Sequence, residues 1–264
     1  TLGSTHMSTS SVYIRDGDWW LPNPEAKGPF PGQHGGAVAG VLAVCLEAEA
    51  AQLDAGVGLQ CSTILLRPVP LERCKVAVST VRAGGRVTVL AAALSVDGTD
   101  CAHSRAIFVR EAEVGHWPLP ANELYRPADC EVVPKPARFG ATAWFRDTVE
   151  IRRAQDIFWL RSMKPVAEPF TPLARVCAHA DWSSGLSRHD TYDSPKLAGF
   201  PNADLSIHLS RSIKGEWVGL RPRSYWYTNG MGMADAEILD IYGPLGRACH
   251  TLVLMPLRSP PSPT

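Results

Sequence analysis

The sequence lacks a long hydrophobic run, and it lacks an excess of charge of either sign. No apolar stretch reaches the roughly 18 to 20 residues that a helix needs to cross a bilayer. The chain of 264 residues contains 26 Lys and Arg residues and 26 Asp and Glu residues, so its formal net charge is zero. Without a global field, neither nucleic acid nor an anionic membrane is an expected partner. We expect a small molecule or another protein instead.

Paired cysteines and the common nucleotide and nucleophile motifs are also missing. The seven cysteines are scattered singly, without a C-x-x-C pair of the kind that builds zinc or redox sites. Unpaired thiols favour a reducing compartment, and we expect a cytoplasmic protein. No G-x-G-x-x-G, Walker or G-x-S-x-G pattern occurs, which leaves dinucleotide, P-loop and serine-nucleophile chemistry without support.

What the sequence does contain is enough apolar material for a substantial core. Apolar residues make up 45% of the chain, sufficient for one large domain or two ordinary ones. After an extended segment, 11–20, a Pro/Gly-rich stretch leads into a helix whose apolar residues recur at helical spacing: Val38, Val41, Leu42, Cys45 and Leu46. Alternating patterns then predict strands at 61–66, 75–81, 86–96 and 101–109.

A proline-rich segment, 117–140, predicts a linker between an N-terminal domain, 8–116, and a C-terminal domain, 141–258. In the second half, Thr171 and Pro172 predict the start of another helix. Strand patterns surround that helix at 142–151, 203–210, 217–228, 234–241 and 248–255. Residues 1–6 lack the features of a signal peptide and are interpreted as an expression remnant, and 259–264 as a flexible tail.

The two halves can be aligned with each other. Ser62–Arg67 parallels Ser206–Arg211, and Ala102-His103-Ser104 parallels Cys249-His250-Thr251. Arg67 and Arg211 differ by 144 positions and His103 and His250 by 147, so the offset is nearly constant. This order indicates a duplication. Because a sheet around one apolar helix leaves an edge uncovered, a second copy completes the structure. We predict an α+β fold of two tandem units, each a central helix wrapped by an antiparallel sheet.

Several short motifs carry a family resemblance. They are Gly35–Gly40 at the helix start, 66–71, 82–86, 200–206 and 246–251. In order and spacing they resemble the type II acyl-CoA thioesterases, double-hotdog proteins of the thioesterase-like superfamily. The resemblance implies hydrolysis of fatty acyl-CoA to free acid and coenzyme A in lipid metabolism, without metal or cofactor. It also implies an acyl-CoA or acyl-carrier thioester as the partner, and a possible homo-oligomer.

The resemblance implies site residues too. The family aligns the attacking water with an Asp on the C-terminal central helix, a Thr near the following strand and a Gln on the last strand. The matching positions here are Asp181, Asn202 and His250, the last with a one-residue ambiguity toward Thr251. Only the Asp is retained.

Asp181 has support that does not depend on the family. On the second helix, Leu173, Val176, Cys177 and Ala180 form an apolar stripe that Asp181 continues. A carboxylate there faces the sheet, and desolvation strengthens it as a general base. The alternative is a C-terminal Asp that turns to solvent. Because only the second half has such a carboxylate, we expect one active site per chain.

Other candidates leave two interpretations open. His250 could act on water or be a satisfied core histidine, and Asn202 could orient water or turn the chain, since alternation puts it opposite the apolar face. Gly35 and Gly36 could offer N–H groups to an oxyanion or allow tight helix packing. Met231 and Met233 could line an acyl tunnel or belong to the core. Glu47 and Glu49 are interpreted as surface residues.

Three functions are compatible with these observations. The first is a thioesterase in which Asp181 activates water held by Asn202 and His250. The second is a hotdog hydratase or dehydratase acting on an enoyl or 3-hydroxyacyl thioester. The third is an acyl-CoA-binding protein that has lost turnover.

Overall fold

The computed structural model describes residues 11–115, 124–135, 143–187 and 197–256. The predicted expression remnant and the predicted tail lie outside these residues, as do two parts of the predicted linker. The helices are α1 Gly35–Gln52, α2 Pro172–Ala180 and α3 Ser183–Leu186. Short 3-10 turns occupy Pro24–Ala26, Pro127–Asp129 and Phe145–Thr148.

The strands of the first half are β1 Tyr13–Asp16, β2 Trp19–Pro22, β3 Val57–Leu65, β4 Cys74–Ala83, β5 Val87–Val96 and β6 Thr99–Val109. Those of the second half are β7 Glu131–Val132, β8 Val149–Ala154, β9 Ile157–Ser162, β10 Leu197–Gly199, β11 Asp204–Leu209, β12 Val218–Trp226, β13 Met231–Asp240, β14 Gly243–Val253 and β15 Met255–Pro256. The four strands predicted after the first helix are therefore present as β3 to β6. Only β4, β5 and β6 form a meander, because β3 pairs with β6 rather than with β4.

One antiparallel sheet of 13 strands joins the two halves, in the order β1-β2-β4-β5-β6-β3-β11-β14-β13-β12-β9-β8-β7. The junction is the pairing of β3 with β11, where Ser62 lies opposite Ser206 and their hydroxyl oxygens are 3.2 Å apart. These are the two serines that the internal alignment matches. Equivalent residues that face each other mark a local two-fold axis, as in a contact between identical subunits.

Helix α1 is apolar on all sides rather than along one stripe. From Gly36 to Val44 every residue is buried, because the sheet covers one side of the helix and α2 covers the other. A helix that is hydrophobic all round belongs in a protein core. Its length and hydropathy also match those of a membrane span, a property that core helices share.

The two central helices approach each other closely. A Cβ added to Gly36 would lie 2.4 Å from the carbonyl oxygen of Ala178, and one added to Gly40 would lie 3.2 Å from the Ala178 Cβ. Small residues on both helices let the start of α1 reach the end of α2. This crossing positions the site described below.

The predicted strand at 142–151 begins later than expected, at Val149, after the turn Phe145–Thr148. Strand β9 was not predicted, because the turn before it contains no glycine and Gln155 adopts φ 54° instead. The predicted linker contains regular structure, since β7 pairs with β8 and Tyr125 packs on Trp159 at 5.2 Å between ring centroids.

One detail of the internal alignment is wrong. His103 is exposed and pairs with Asp100, whereas His250 is buried and faces the helices. The strand registers pair Ser62 with Arg105 and Ser206 with Cys249, so the counterpart of His250 is the buried Ala106 rather than His103. The predicted match between these strands is shifted by three residues. Since side chains alternate across a sheet, a shift by an odd number of residues places the two histidines on opposite faces.

Candidate active site

Asp181 is the C-cap of α2, and its carboxylate lies against the first turn of α1. Only 6% of its surface is exposed, as the apolar stripe predicts. A Cβ at Gly35 would lie 2.8 Å from Oδ1 of Asp181. The positive end of the α1 dipole favours a negative charge at this position.

His34 is the N-cap of α1 and lies on the other side of the Asp181 carboxylate. Its Nδ1 accepts a hydrogen bond from the Gly36 N–H at 3.0 Å and lies 3.2 Å from Oδ2 of Asp181. Burial lowers the pKa of His34, while Asp181 acts in the opposite direction. The imidazole stacks on Trp182, with 4.7 Å between ring centroids, and contacts Phe145. His34 is thus a neutral, fixed imidazole beside the carboxylate.

Sequence reasoning missed His34. The available signal was a histidine directly before the glycines of a helix start, where an N-cap acceptor is needed.

Asn202 contacts Asp181 directly. Its Nδ2 donates to Oδ1 of Asp181 at 2.8 Å. The objection from strand alternation does not apply, because β11 begins only at Asp204 and Asn202 forms an isolated bridge with Leu252. The side chain is therefore free of the alternation that governs the following residues.

His250 lies one layer behind Asn202. Its Nδ1 is 3.3 Å from the Asn202 amide nitrogen, and its Nε2 is 2.7 Å from the Ser183 hydroxyl. The ring is 1% exposed and is not among the residues that line the cavity described below. Both nitrogens also lie within 3.2 Å of backbone carbonyls, those of Asp204 and Ala180. This placement favours the interpretation of a satisfied core histidine that holds Asn202.

Three further predicted residues are not at the site. Thr251 follows His250 on β14 and faces outward, where its side chain is exposed. Met231 and Met233 are 62% and 40% exposed on the outer face of β13, because Ala234, Ala236 and Ile238 take the inner face. The prediction that these methionines line an acyl tunnel, or else belong to the core, is therefore contradicted.

Gly35 and Gly36 serve the close approach of the helices. The Gly36 N–H is engaged by His34, and a Cβ on either glycine would collide with Asp181 or with the α2 backbone. The packing interpretation is supported at both positions.

A cavity of about 530 Å³ opens at Asp181. Its described polar lining includes Gln33, His34, Arg146, Asp181 and Asn202, and its apolar lining includes Phe30, Trp144, Ile151, Trp182, Leu186 and Phe200. This volume lies within the range of small-molecule sites. Within the described residues, no group of three His, Cys, Asp or Glu side chains is arranged to hold a metal ion.

Family models cover most of the chain. Residues 24–109 match the acyl-CoA thioesterase N-terminal domain, and residues 110–254 match the acyl-CoA thioesterase C-terminal domain. Together with the fold and the buried carboxylate, these matches make the protein a thioester hydrolase. The chain belongs to the acyl-CoA thioesterase family.

Solved structures share the fold at low sequence identity. A hot dog fold protein from Alicyclobacillus acidocaldarius is 16% identical with a TM-score of 0.70, covering 95% of this chain and 97% of that one. The acyl-CoA thioesterase II TesB2 of Mycobacterium marinum is 18% identical with a TM-score of 0.62, covering 96% of each chain. The tesB protein of Mycobacterium avium subsp. paratuberculosis is 14% identical with a TM-score of 0.64, covering 92% and 96%. No curated protein sequence matches the chain significantly.

Proposed function

We propose that the protein hydrolyses an acyl-CoA to a free fatty acid and coenzyme A with a water that Asp181 activates. The observation that carries this proposal is the position of the Asp181 carboxylate, which is buried, opens on a cavity and is contacted by Asn202. A general base in a desolvated site contributes typically about 10² to 10⁴-fold to a rate.

The two carboxylate oxygens of Asp181 have different surroundings. Oδ1 accepts the Asn202 amide, which fixes the orientation of the carboxylate. Oδ2 faces Nδ1 of His34, which carries a lone pair because it accepts the Gly36 N–H. We infer that Oδ2 takes the proton of the attacking water, while Nδ1 of His34 stays engaged by the Gly36 N–H. His34, like His250, is a positioning residue in this scheme.

The reaction then proceeds in two steps. The water oxygen bonds to the thioester carbon while its proton passes to Asp181. Collapse of the tetrahedral intermediate breaks the C–S bond, and the same proton passes to the departing sulfur. The positive end of α1 stabilises the charge that develops on the carbonyl oxygen.

We also infer that each half is one hotdog, so that a chain forms a double hotdog with domains at 8–116 and 141–258. The two-fold pairing of Ser62 with Ser206 supports this arrangement. All seven cysteines are free thiols, which supports a reducing compartment such as the cytoplasm.

The test is thiol release from acyl-CoAs of several chain lengths. Asp181→Asn keeps the size of the side chain but removes the base, and we expect kcat to fall by about 10² to 10⁴-fold. Asp16→Asn, at an exposed carboxylate of β1, is the matched control and should leave kcat unchanged.

Equal rates for wild type and Asp181→Asn would rule out this mechanism. Loss of enoyl-CoA absorbance without thiol release would identify a hydratase instead. Acyl-CoA binding without either reaction would identify a binding protein.

A further inference from the structure

Arg146 is the one lysine or arginine in the described ranges that is buried, with 5% of its surface exposed. It belongs to the turn Phe145–Thr148 and lines the cavity that opens at Asp181. Burial lowers the pKa of Arg146. A guanidinium nevertheless stays protonated in proteins, so a positive charge is held inside the cavity wall.

The described surroundings of Arg146 supply hydrogen bonds but no ion pair. Nη1 donates to the carbonyl of Val149 at 2.6 Å and Nη2 to that of Val133 at 2.8 Å. These bonds use two of the five N–H groups of a guanidinium. The charge of the adjacent Asp147 raises the pKa of Arg146 in opposition to burial, but its carboxylate forms its ion pair with Lys135, at 2.6 Å.

Other arginines of the fold differ in this respect. Arg161 pairs with Glu150 and Arg211 with Asp240, although both arginines are more exposed. Among described residues, no carboxylate lies within ion-pair distance of Arg146, and Asp181 does not pair with it either. Burying a cation without an ion-pair partner costs free energy, and an anionic ligand in the cavity would offset that cost.

We propose that Arg146 binds a carboxylate at the end of the acyl chain remote from the thioester, so that the preferred substrates are monothioesters of dicarboxylic acids. This inference rests on the thioester hydrolysis proposed at Asp181. The aromatic and aliphatic walls suit the methylene chain, and the planar guanidinium suits a carboxylate, which it can bind with two hydrogen bonds.

The phosphates of coenzyme A are the other possible source of anionic groups. They are large and strongly hydrated, whereas Arg146 is almost fully buried and lines a cavity whose wall also contains Trp144 and Ile151. A single carboxylate on a hydrocarbon chain loses less hydration on entering such a space. The acyl carboxylate is therefore the occupant that the cavity fits.

The first experiment compares suberyl-CoA with octanoyl-CoA, which have the same chain length and differ in one carboxylate. We expect wild type to prefer suberyl-CoA by about 10 to 100-fold in kcat/KM, the value of a charge-assisted hydrogen-bond pair. The preference should appear mainly in KM, because the carboxylate is bound equally in ground and transition states. Equal use of the two, or preference for octanoyl-CoA, would overturn the proposal.

The second experiment removes the cation. Arg146→Gln should abolish the preference, measured as the ratio of kcat/KM for suberyl-CoA to that for octanoyl-CoA, while Arg146→Lys should keep part of it. Arg105→Gln, at an exposed arginine of β6, is the matched control. An equal loss on both substrates would show that Arg146 serves the fold, the thioester or coenzyme A, and would contradict the proposal.

A third arm separates the two sources of negative charge. Suberyl and octanoyl thioesters of N-acetylcysteamine contain no phosphate, and the preference should persist with them. Its disappearance would assign Arg146 to the phosphates instead.

Binding of the free acids tests Arg146 independently of turnover. Calorimetry should show suberate binding more tightly than octanoate to wild type, and this difference should vanish in Arg146→Gln. Should no thioester be hydrolysed, the proposed function fails, and this comparison alone still decides the role of Arg146.

Discussion

The two ends of the central helix pair form similar contacts with different chemical outcomes. At one end, Asp181 of α2 lies over the start of α1. At the other end, Glu47 of α1 lies over the start of α2, where it accepts the hydroxyl of Thr171 and the N–H groups of Leu173 and Ala174. Each helix therefore supplies a carboxylate to the positive end of its partner.

The difference is what else each carboxylate contacts. Glu47 uses both carboxylate oxygens to accept hydrogen bonds at the start of α2, where the N-cap residue Thr171 makes no capping bond of its own. This corrects its interpretation as a surface residue, and the cavity that it lines is about 240 Å³. Burial raises the pKa of Glu47, and its three hydrogen bonds oppose that shift. Asp181 faces glycines and a helix that His34 already caps. A carboxylate at a helix start becomes available for chemistry when another residue satisfies the N–H groups.

Glu47→Ala is expected to have the largest effect on stability. It leaves two backbone N–H groups and one hydroxyl without a partner, so we expect a loss of about 2 to 4 kcal/mol in the free energy of unfolding. Urea unfolding measures this loss, and kcat of the folded fraction should stay near the wild-type value.

In Asp181→Ala we expect the reverse pattern, with activity lost and the free energy of unfolding changed by about 1 kcal/mol or less. The same pattern in both variants would show that the ends are not specialised.

Gly35→Ala tests the contact between Asp181 and the start of α1. The added Cβ would lie 2.8 Å from Oδ1, so the carboxylate must move away from Asn202. We expect kcat to fall by about 10 to 100-fold, because small displacements of a positioned base are costly. Gly85→Ala is the control, since its Cβ meets nothing within 4 Å. Unchanged kcat in Gly35→Ala would contradict the contact.

The smallest effect is a change in acid stability, measured between pH 7 and pH 5. Burial lowers the pKa of His179, on α2, from 6.5 to about 3. Below pH 6.5 the unfolded chain therefore binds a proton at His179 that the folded chain does not bind. The free energy of unfolding falls by about 1 kcal/mol per pH unit as the pH is lowered from 6.5 toward 3.

His179→Gln should reduce this slope while leaving stability at pH 7 similar, and unfolding at pH 7 and pH 5 measures it. Part of the slope should remain, because burial lowers the pKa of His34 as well. His103→Gln, at an exposed histidine, should leave the slope intact. An equal slope in His179→Gln and wild type would contradict the assignment.

Strong periodicity explains what could be predicted from the sequence. The strands β3 to β6 and the inward direction of Asp181 follow from local patterns that burial reinforces. The exposure of Met231 could also have been inferred, since Ala234, Ala236 and Ile238 already define the inner face of β13. The prediction for Met231 and Met233 relied on the apolar character of methionine and did not consider which face of the strand these residues occupy.

Tertiary placement explains the rest. His34 and Arg146 have no apolar pattern around them that points to a site, and each gains its role from the helix crossing or from the turn that brings it to the cavity. Asn202 required the true start of β11, a boundary that alternation alone does not fix. The capping role of Glu47 could not be predicted, because the sequence does not show which helix start lies beside this residue.

The pairing of Ser62 with Ser206 has a consequence for how this protein can vary. In a symmetric dimer of separate chains, every substitution occurs twice, once at each end of the molecule. Here both halves lie in one chain, so a substitution changes one end and leaves its counterpart unaltered. The serines still match across the axis, while the carboxylates at the two helix starts differ in role. Glu47 holds the start of α2, and Asp181 is the proposed general base.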